Sequence, residues 1–192
     1  LLFGGVASFP PYLVLYYESL SFTGVQIGLL VGIAPLVTVV SLPLVTGFAD
    51  RRNTHRLIMS FSFLVVVLGL VLFPYLKSFI LLLGMAILLT IFFTPIFPLA
   101  DSATMFMLGD RKDLYSRIRL GGTIGFSIVA TLVGSLVEDY GLKIAFWSAA
   151  ILLFLAFFVS LKLSHSGEGS KPSADRGRVS ELLKNPHFLL FL

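Results

Sequence analysis

The chain has 192 residues, of which 57% are apolar and only 12% are charged, with a net charge of +4. A soluble domain is about a quarter charged, so a hydrated shell cannot be built here, and ordinary soluble enzymes and nucleic-acid binders are excluded. The basic excess suits loops held on one side of a bilayer, and a chain without cysteine has no disulfide or thiol chemistry.

Stretches free of Asp, Glu, Lys and Arg cover 1–17, 19–49, 57–76, 78–100, 120–137 and 144–161. Each is near or above the ~20 residues that cross a ~30 Å hydrocarbon core. The pattern predicts an all-α polytopic membrane protein with helices over about 1–17, 22–49, 56–76, 78–108, 114–137 and 143–162. The first run is no signal peptide: it has no basic start and no cleavage site, and it holds Pro10-Pro11. On this helix Tyr12, Tyr16 and Tyr17 are candidates for a polar lining, and Tyr16 and Tyr17 equally for an interfacial belt. Helix two carries Gly24, Gly28 and Gly32, and helix five Gly121 and Gly125; such stripes let backbones approach closely in lipid. Pro10-Pro11, Pro35, Pro43, Pro95 and Pro98 interrupt the spans, which suits a bundle around a protein-lined or wet cavity.

The segment 163–184, rich in Gly, Ser and mixed charge, is expected to be a linker. The apolar run 185–192 is expected to open a seventh helix, making the chain a piece of a longer protein. The domains expected are thus a bundle over 1–162, the linker and the start of a second bundle. Loops two, four and six, with the adjoining helix ends, hold twelve of the fourteen Lys and Arg residues, which puts those loops, the N-terminus and the linker in the cytoplasm. A reporter fused after Lys143 should read outside and one after Lys112 inside; the reverse pattern would invert this topology.

Placing Asp50 on Glu138 aligns the loop after helix two with the loop after helix five, one on each side of the membrane. Three helices followed by three of opposite orientation form an inverted repeat, a signature of secondary transporters. Two charges lie inside the spans. Asp101 on helix four and Arg119 on helix five stand ten residues before and eight after Arg111. At 1.5 Å per residue both lie roughly 10 Å in from the hairpin end and can pair. A lone charge at that depth costs at least ~2.5 kcal/mol. The pair reads either as a solute or ion site or as a structural ion pair. Arg119, Thr123 and Phe126 share a helix face at i, i+4 and i+7. Phe97 and Asp101 share another, with Thr94 extending it. One anion, one cation, a hydroxyl and two rings suit a small solute with hydroxyls or a carboxylate beside an apolar part. Asp50, Arg51 and Arg56, around a tight cytoplasmic turn, are expected to brace one state of a conformational cycle. No pair among His55, His165 and His187 has metal-ligand spacing, so no metal is expected.

The loop from Gly47 to Arg56, Gly-Phe-Ala-Asp-Arg-Arg-Asn-Thr-His-Arg, resembles the signature between helices two and three of the major facilitator superfamily, with Thr46 where a Gly is usual and Asn53 where a second is usual. The stretches Phe93–Ser102 and Tyr115–Phe126, with an acid-to-arginine spacing of 18, resemble the phenylpropionate-permease-like and lactose-permease-like branch. That resemblance implies the N-terminal half of a twelve-helix proton symporter. Asp101 and Arg119 would then bind solute, Phe126 would stack against it and Thr123 would line the same face; Phe126 stands where a Trp binds sugar. The proton is the coupling ion, with no other cofactor, and its carriers belong to the second six-helix half. The partners implied are a small solute such as a sugar, nucleoside or aromatic acid, the lipid bilayer and that second half; nucleic acid is not one. The location implied is the cell (inner) membrane. The alternatives are a drug or metabolite exporter working by antiport and a non-transporting membrane protein such as a scaffold. An enzyme lacks support, for want of a nucleophile–base set or a phosphate loop near a bilayer face.

Overall fold

The structure, a computed structural model, describes residues 1–52, 54–109, 111 and 113–162, with the side chains of Asp50 and Lys162 left out. The expected linker over 163–184 and the start of a seventh helix at 185–192 lie outside the described residues. Among the described residues, eight α-helices follow in chain order: α1 Leu2–Ser8, α2 Leu13–Ser19, α3 Gly24–Arg52, α4 His55–Leu72, α5 Phe79–Phe93, α6 Ile96–Leu108, α7 Leu114–Tyr140 and α8 Lys143–Lys162. Five stretches, 24–49, 55–75, 79–108, 114–140 and 143–161, are long and apolar enough to cross a membrane. The sixth segment expected, at the start of the chain, is divided. Pro10 and Pro11 lack the N–H that continues a helix, and a 3₁₀ turn over Pro10–Tyr12 joins α1 to α2. The fourth span is divided in the same way between Phe93 and Ile96, at Thr94-Pro95.

Local chemistry sets several ends. Thr23 and Gln26 cap α3 reciprocally: the Thr23 amide donates to Gln26 Oε1 at 2.9 Å and the Gln26 amide to Thr23 Oγ1 at 3.4 Å. Gly141, at φ 88°, stops α7 in a conformation that costs other residues dearly, and its amide closes on the Val137 carbonyl at 2.8 Å. At its C-terminal end α3 runs to Arg52 rather than stopping at residue 49, so Asp50, Arg51 and Arg52 belong to the helix.

Packing follows the inverted repeat. The helices α4 and α8 lie against each other; α1 packs on α7 and α8, and α5 packs on α3 and α4. Exchanging α1–α4 for α5–α8 maps each of these neighbours onto another. The shift of 88 residues that carries Asp50 to Glu138 also carries the end of α3, Arg52, to the end of α7, Tyr140, and the start of α4, His55, to the start of α8, Lys143. Exposure repeats as well: Ala34, Thr38, Ser41 and Val45 are sheltered on α3, as are Gly122, Phe126, Val129 and Val133 on α7.

The ends of the bundle sort the loops. Arg56 donates to the carbonyl of Leu161, which joins the start of α4 to the end of α8; a cation there also complements the negative helix terminus. At the other end Lys143 stands 6.0 Å from the Tyr75 ring centroid, and Tyr16 Oη donates to the Leu76 carbonyl at 3.2 Å. The start of α4 and the end of α8 therefore share one end, and loops one, three and five the other.

Tyr16 and Tyr17 do not form an interfacial belt. They are 4% and 1% exposed, inside an aromatic core with Phe73 and Phe146, whose rings stack at 4.9 Å. The Tyr16 hydroxyl avoids the cost of an unpaired polar group by using carbonyls at the turn around Pro74. Close backbone approach is likewise made by other glycines than the stripes suggest. Gly24, Gly28, Gly32, Gly121 and Gly125 have open space beside them, whereas Gly5, Gly69 and Gly122 are pressed against Leu153, Leu89 and Phe3.

Candidate functional site

The α6–α7 hairpin brings the two intramembrane charges together. Arg119 Nη1 lies 3.7 Å from Asp101 Oδ2, and the two side chains are 59% and 48% exposed in this half. That distance is an ion pair but longer than a hydrogen bond, so neither group has spent its directional bonding on the other. Arg119 Nη1 donates instead to the Tyr115 hydroxyl at 3.0 Å, one turn back on α7. Within this half the carboxylate and most of the guanidinium fork remain available.

The other residues grouped with this pair are placed as follows. Thr123 is exposed one turn beyond Arg119, its hydroxyl donating to the Arg119 carbonyl at 3.3 Å, so its lone pairs are left to accept. Phe126 is half-buried on the next turn. Phe97, half-buried one turn before Asp101, meets Phe3 and Phe93 edge-to-face at 6.2 and 5.7 Å between centroids. Thr94 is engaged away from Asp101: its hydroxyl donates to the Thr90 carbonyl at 2.8 Å and lies 3.4 Å from that of Thr38 on α3. Tyr12 is not brought to the pair either. Its hydroxyl lies against Gly134, fifteen residues beyond Arg119 on α7, roughly 22 Å along the axis. In the bracing group, Arg51 is exposed at the end of α3, Arg56 is held by Leu161, and the side chain of Asp50 lies outside the description. Arg52, not singled out from the sequence, covers the Phe48 ring at 5.1 Å.

Tyr115, which sequence reading did not single out, joins the candidate site through its bond to Arg119, and the i−4 spacing between them is the signal that could have found it. Beyond Thr123 the same spacing continues as Ser127 and Thr131, whose hydroxyls donate to the carbonyls of Thr123 and Ser127 at 3.2 and 3.0 Å. Tyr115→Phe removes one charge-assisted partner of Arg119, worth ~1.5 kcal/mol. Solute affinity of the full protein is expected to fall about tenfold with the amount in the membrane unchanged, as measured by binding titration beside quantitative immunoblotting.

A multi-pass helical bundle built on an inverted repeat, with a partly unspent charged pair on its exposed face, defines half of a membrane transporter rather than an enzyme. The chain matches the sequence family described as MFS_1 like over residues 1–192, and it belongs to that family of the major facilitator superfamily. It is 27% identical over 187 residues to the maltose permease of Geobacillus stearothermophilus, covering 97% of this chain and 47% of the permease. It is 29% identical over 197 residues to the multidrug resistance protein MdtG of Rahnella sp. (strain Y9602), covering 95% of this chain and 46% of that protein. It is also 25% identical to the uncharacterized transporter YwbF of Bacillus subtilis (strain 168), covering 99% of this chain and 48% of that protein. The chain thus spans about half the length of the curated relatives it matches. No solved structure matches it.

Proposed function

We propose that this chain is the N-terminal half of a proton-coupled importer of a small organic solute, such as a sugar, nucleoside or aromatic acid, working by alternating access in the cell (inner) membrane. The observation that carries the reading is the Asp101–Arg119 pair: close enough to neutralise its cost, too far apart to be saturated, and exposed on the face where a second half would pack. Arg119 grips a carboxylate or a diol of the solute, Asp101 accepts from its hydroxyls, and Phe126 and Phe97 cover its apolar part. The N-terminus and the 163–184 linker face the cytoplasm, where Asp50 and Arg51 brace one state against the second half and Arg56 braces α4 against α8. A maltose permease among the relatives supports uptake of such a solute.

A second reading, export by antiport, is favoured by the relative named as a multidrug resistance protein. Uptake by the full-length protein in proteoliposomes, with the proton gradient imposed in either direction, separates the two. Import predicts solute accumulation driven by an inward proton gradient and abolished by a protonophore. Accumulation driven by an outward gradient would favour the exporter, and transport indifferent to the gradient would end the proton-coupled reading.

A further inference from the structure

We propose that the cavity between α2, α3 and α5, walled also by the Phe9-Pro10 turn and by Val66 of α4, is a second ligand site, built for a neutral and mainly apolar small molecule. Its volume, about 610 Å³, falls within the range of small-molecule sites. Its walls include Phe9, Tyr17, Leu30, Phe73 and Phe93, and no residue lining it carries a charge. The polar side chains present are Tyr17 and three threonines, and two of those are already committed: Thr90 donates to the Ala86 carbonyl at 2.7 Å and Thr94 to the Thr90 carbonyl at 2.8 Å. The Thr38 hydroxyl has only a long bond, 3.4 Å, to that of Thr94, and its lone pairs can accept from an occupant. An ion would enter without a counter-charge, at a cost of several kcal/mol. An aromatic or alicyclic molecule bearing one hydrogen-bonding group would meet rings on its flanks and Thr38 at its tip.

The internal symmetry supplies an independent reason to regard this cavity as a site. The shift of 88 residues that superimposes the ends of α3 on those of α7 carries Arg119, Thr123 and Phe126 back to Val31, Pro35 and Thr38. A shift of 87, which sets Pro98 on Pro11, carries Phe97 and Asp101 back to Pro10 and Val14. All five counterparts line the cavity. The repeat therefore builds the same niche twice, displaced toward opposite membrane faces: once with an acid and an arginine, once with two valines in their places. Phe97 of the charged niche touches Phe93 of the apolar one at 5.7 Å, and Phe93 touches Phe9 at 5.5 Å, so an edge-to-face aromatic wall separates the two.

This proposal does not depend on Arg119 binding solute, and the test keeps the two apart. The full-length protein in lipid nanodiscs is titrated with 2-naphthol, uncharged at neutral pH, and followed by its fluorescence anisotropy. Saturable binding is expected. Ala34→Phe, which fills the cavity, should weaken it at least tenfold, as should Val31→Trp, which blocks the cavity from an exposed rim position and leaves the core intact. Asp101→Asn and Arg119→Gln should leave it unchanged. Absence of saturable binding, wild-type binding in both filled variants, or loss of binding in Arg119→Gln would overturn the assignment. A phospholipid with a diazirine in its acyl chain that labels the Leu30 or Phe93 peptides and is not displaced by 2-naphthol would show a lipid slot instead, and would overturn it equally.

Discussion

Arg119→Lys is expected to weaken solute affinity at least ~tenfold, about 1.4 kcal/mol, and Arg119→Gln to abolish uptake, both with normal protein levels in the membrane. Lysine keeps the charge, so a site that needed only a cation beside Asp101 would tolerate it. The geometry asks for more. Arg119 spends one N–H on Tyr115 and stands at ion-pair distance from Asp101, leaving a planar fork that can hold a carboxylate or a diol by two parallel bonds. An ammonium group offers a point charge without that fork. Solute binding and uptake by the full-length protein check this, with immunoblots of membrane fractions alongside. If Arg119→Lys transports normally, or if Asp101→Asn and Arg119→Gln lower only the amount of protein, the pair is structural.

Gly5→Val is expected to be the most damaging single change to the packing of this half. A Cβ on Gly5 would lie 2.6 and 2.7 Å from Cδ2 and Cγ of Leu153, a core side chain on α8 that is itself fully buried. The Cγ sits next to the main chain and cannot swing aside as a side-chain tip does. Overpacking typically costs ~1–3 kcal/mol for smaller insertions, and valine adds two further methyl groups. The apparent melting temperature of the purified transporter should drop sharply, with most of the protein lost as aggregate on size exclusion. Gly84→Ala, on an exposed stretch of α5 with nothing within 4 Å, should stay within ~0.5 kcal/mol of the parent protein. Equal stability of the two variants would show that α1 and α8 do not meet as described.

The spans were legible because lipid imposes a simple rule: charge must be absent for about twenty residues. The pairing of Asp101 with Arg119 was legible for a related reason, since residues equally far from a hairpin turn lie at equal depth. Faces were harder to read. Tyr16 and Tyr17 have the composition of an interfacial belt, and what holds them inside is far away in sequence: two carbonyls near Pro74 and the Phe146 ring for Tyr16, and the Phe73 ring for Tyr17. Thr94 sits one turn from Phe97 in sequence, and only the approach of α3 reveals Thr38 as its neighbour. The glycine stripes meet no neighbour within this half. Spacing shows which glycines share a face, not whether a neighbour occupies it; Gly28 and Gly125 meet open space while the unremarked Gly69 meets Leu89. The apolar cavity had no sequence signal, because Phe9, Thr38 and Phe93 become neighbours only when three helices close on one another.

The packing order has a consequence for how the chain is made. The first segment finds its main partners in α7 and α8 rather than in the helices that directly follow it. Roughly a hundred and twenty residues separate the end of α2 from the start of α8. At a ribosomal rate of ~5–20 residues per second, α1 and α2 wait on the order of 10 s before the last of their partners is synthesised. During that interval Gly4 and Gly5 face lipid or the insertion machinery instead of Leu152, Leu153 and Val129. Nascent chains arrested before residue 114 should therefore hold their first segment loosely and open to proteases, and chains carried past residue 162 should protect it. The inverted repeat thus makes this half a late-closing assembly, in which the first helices to enter the bilayer are among the last to be secured.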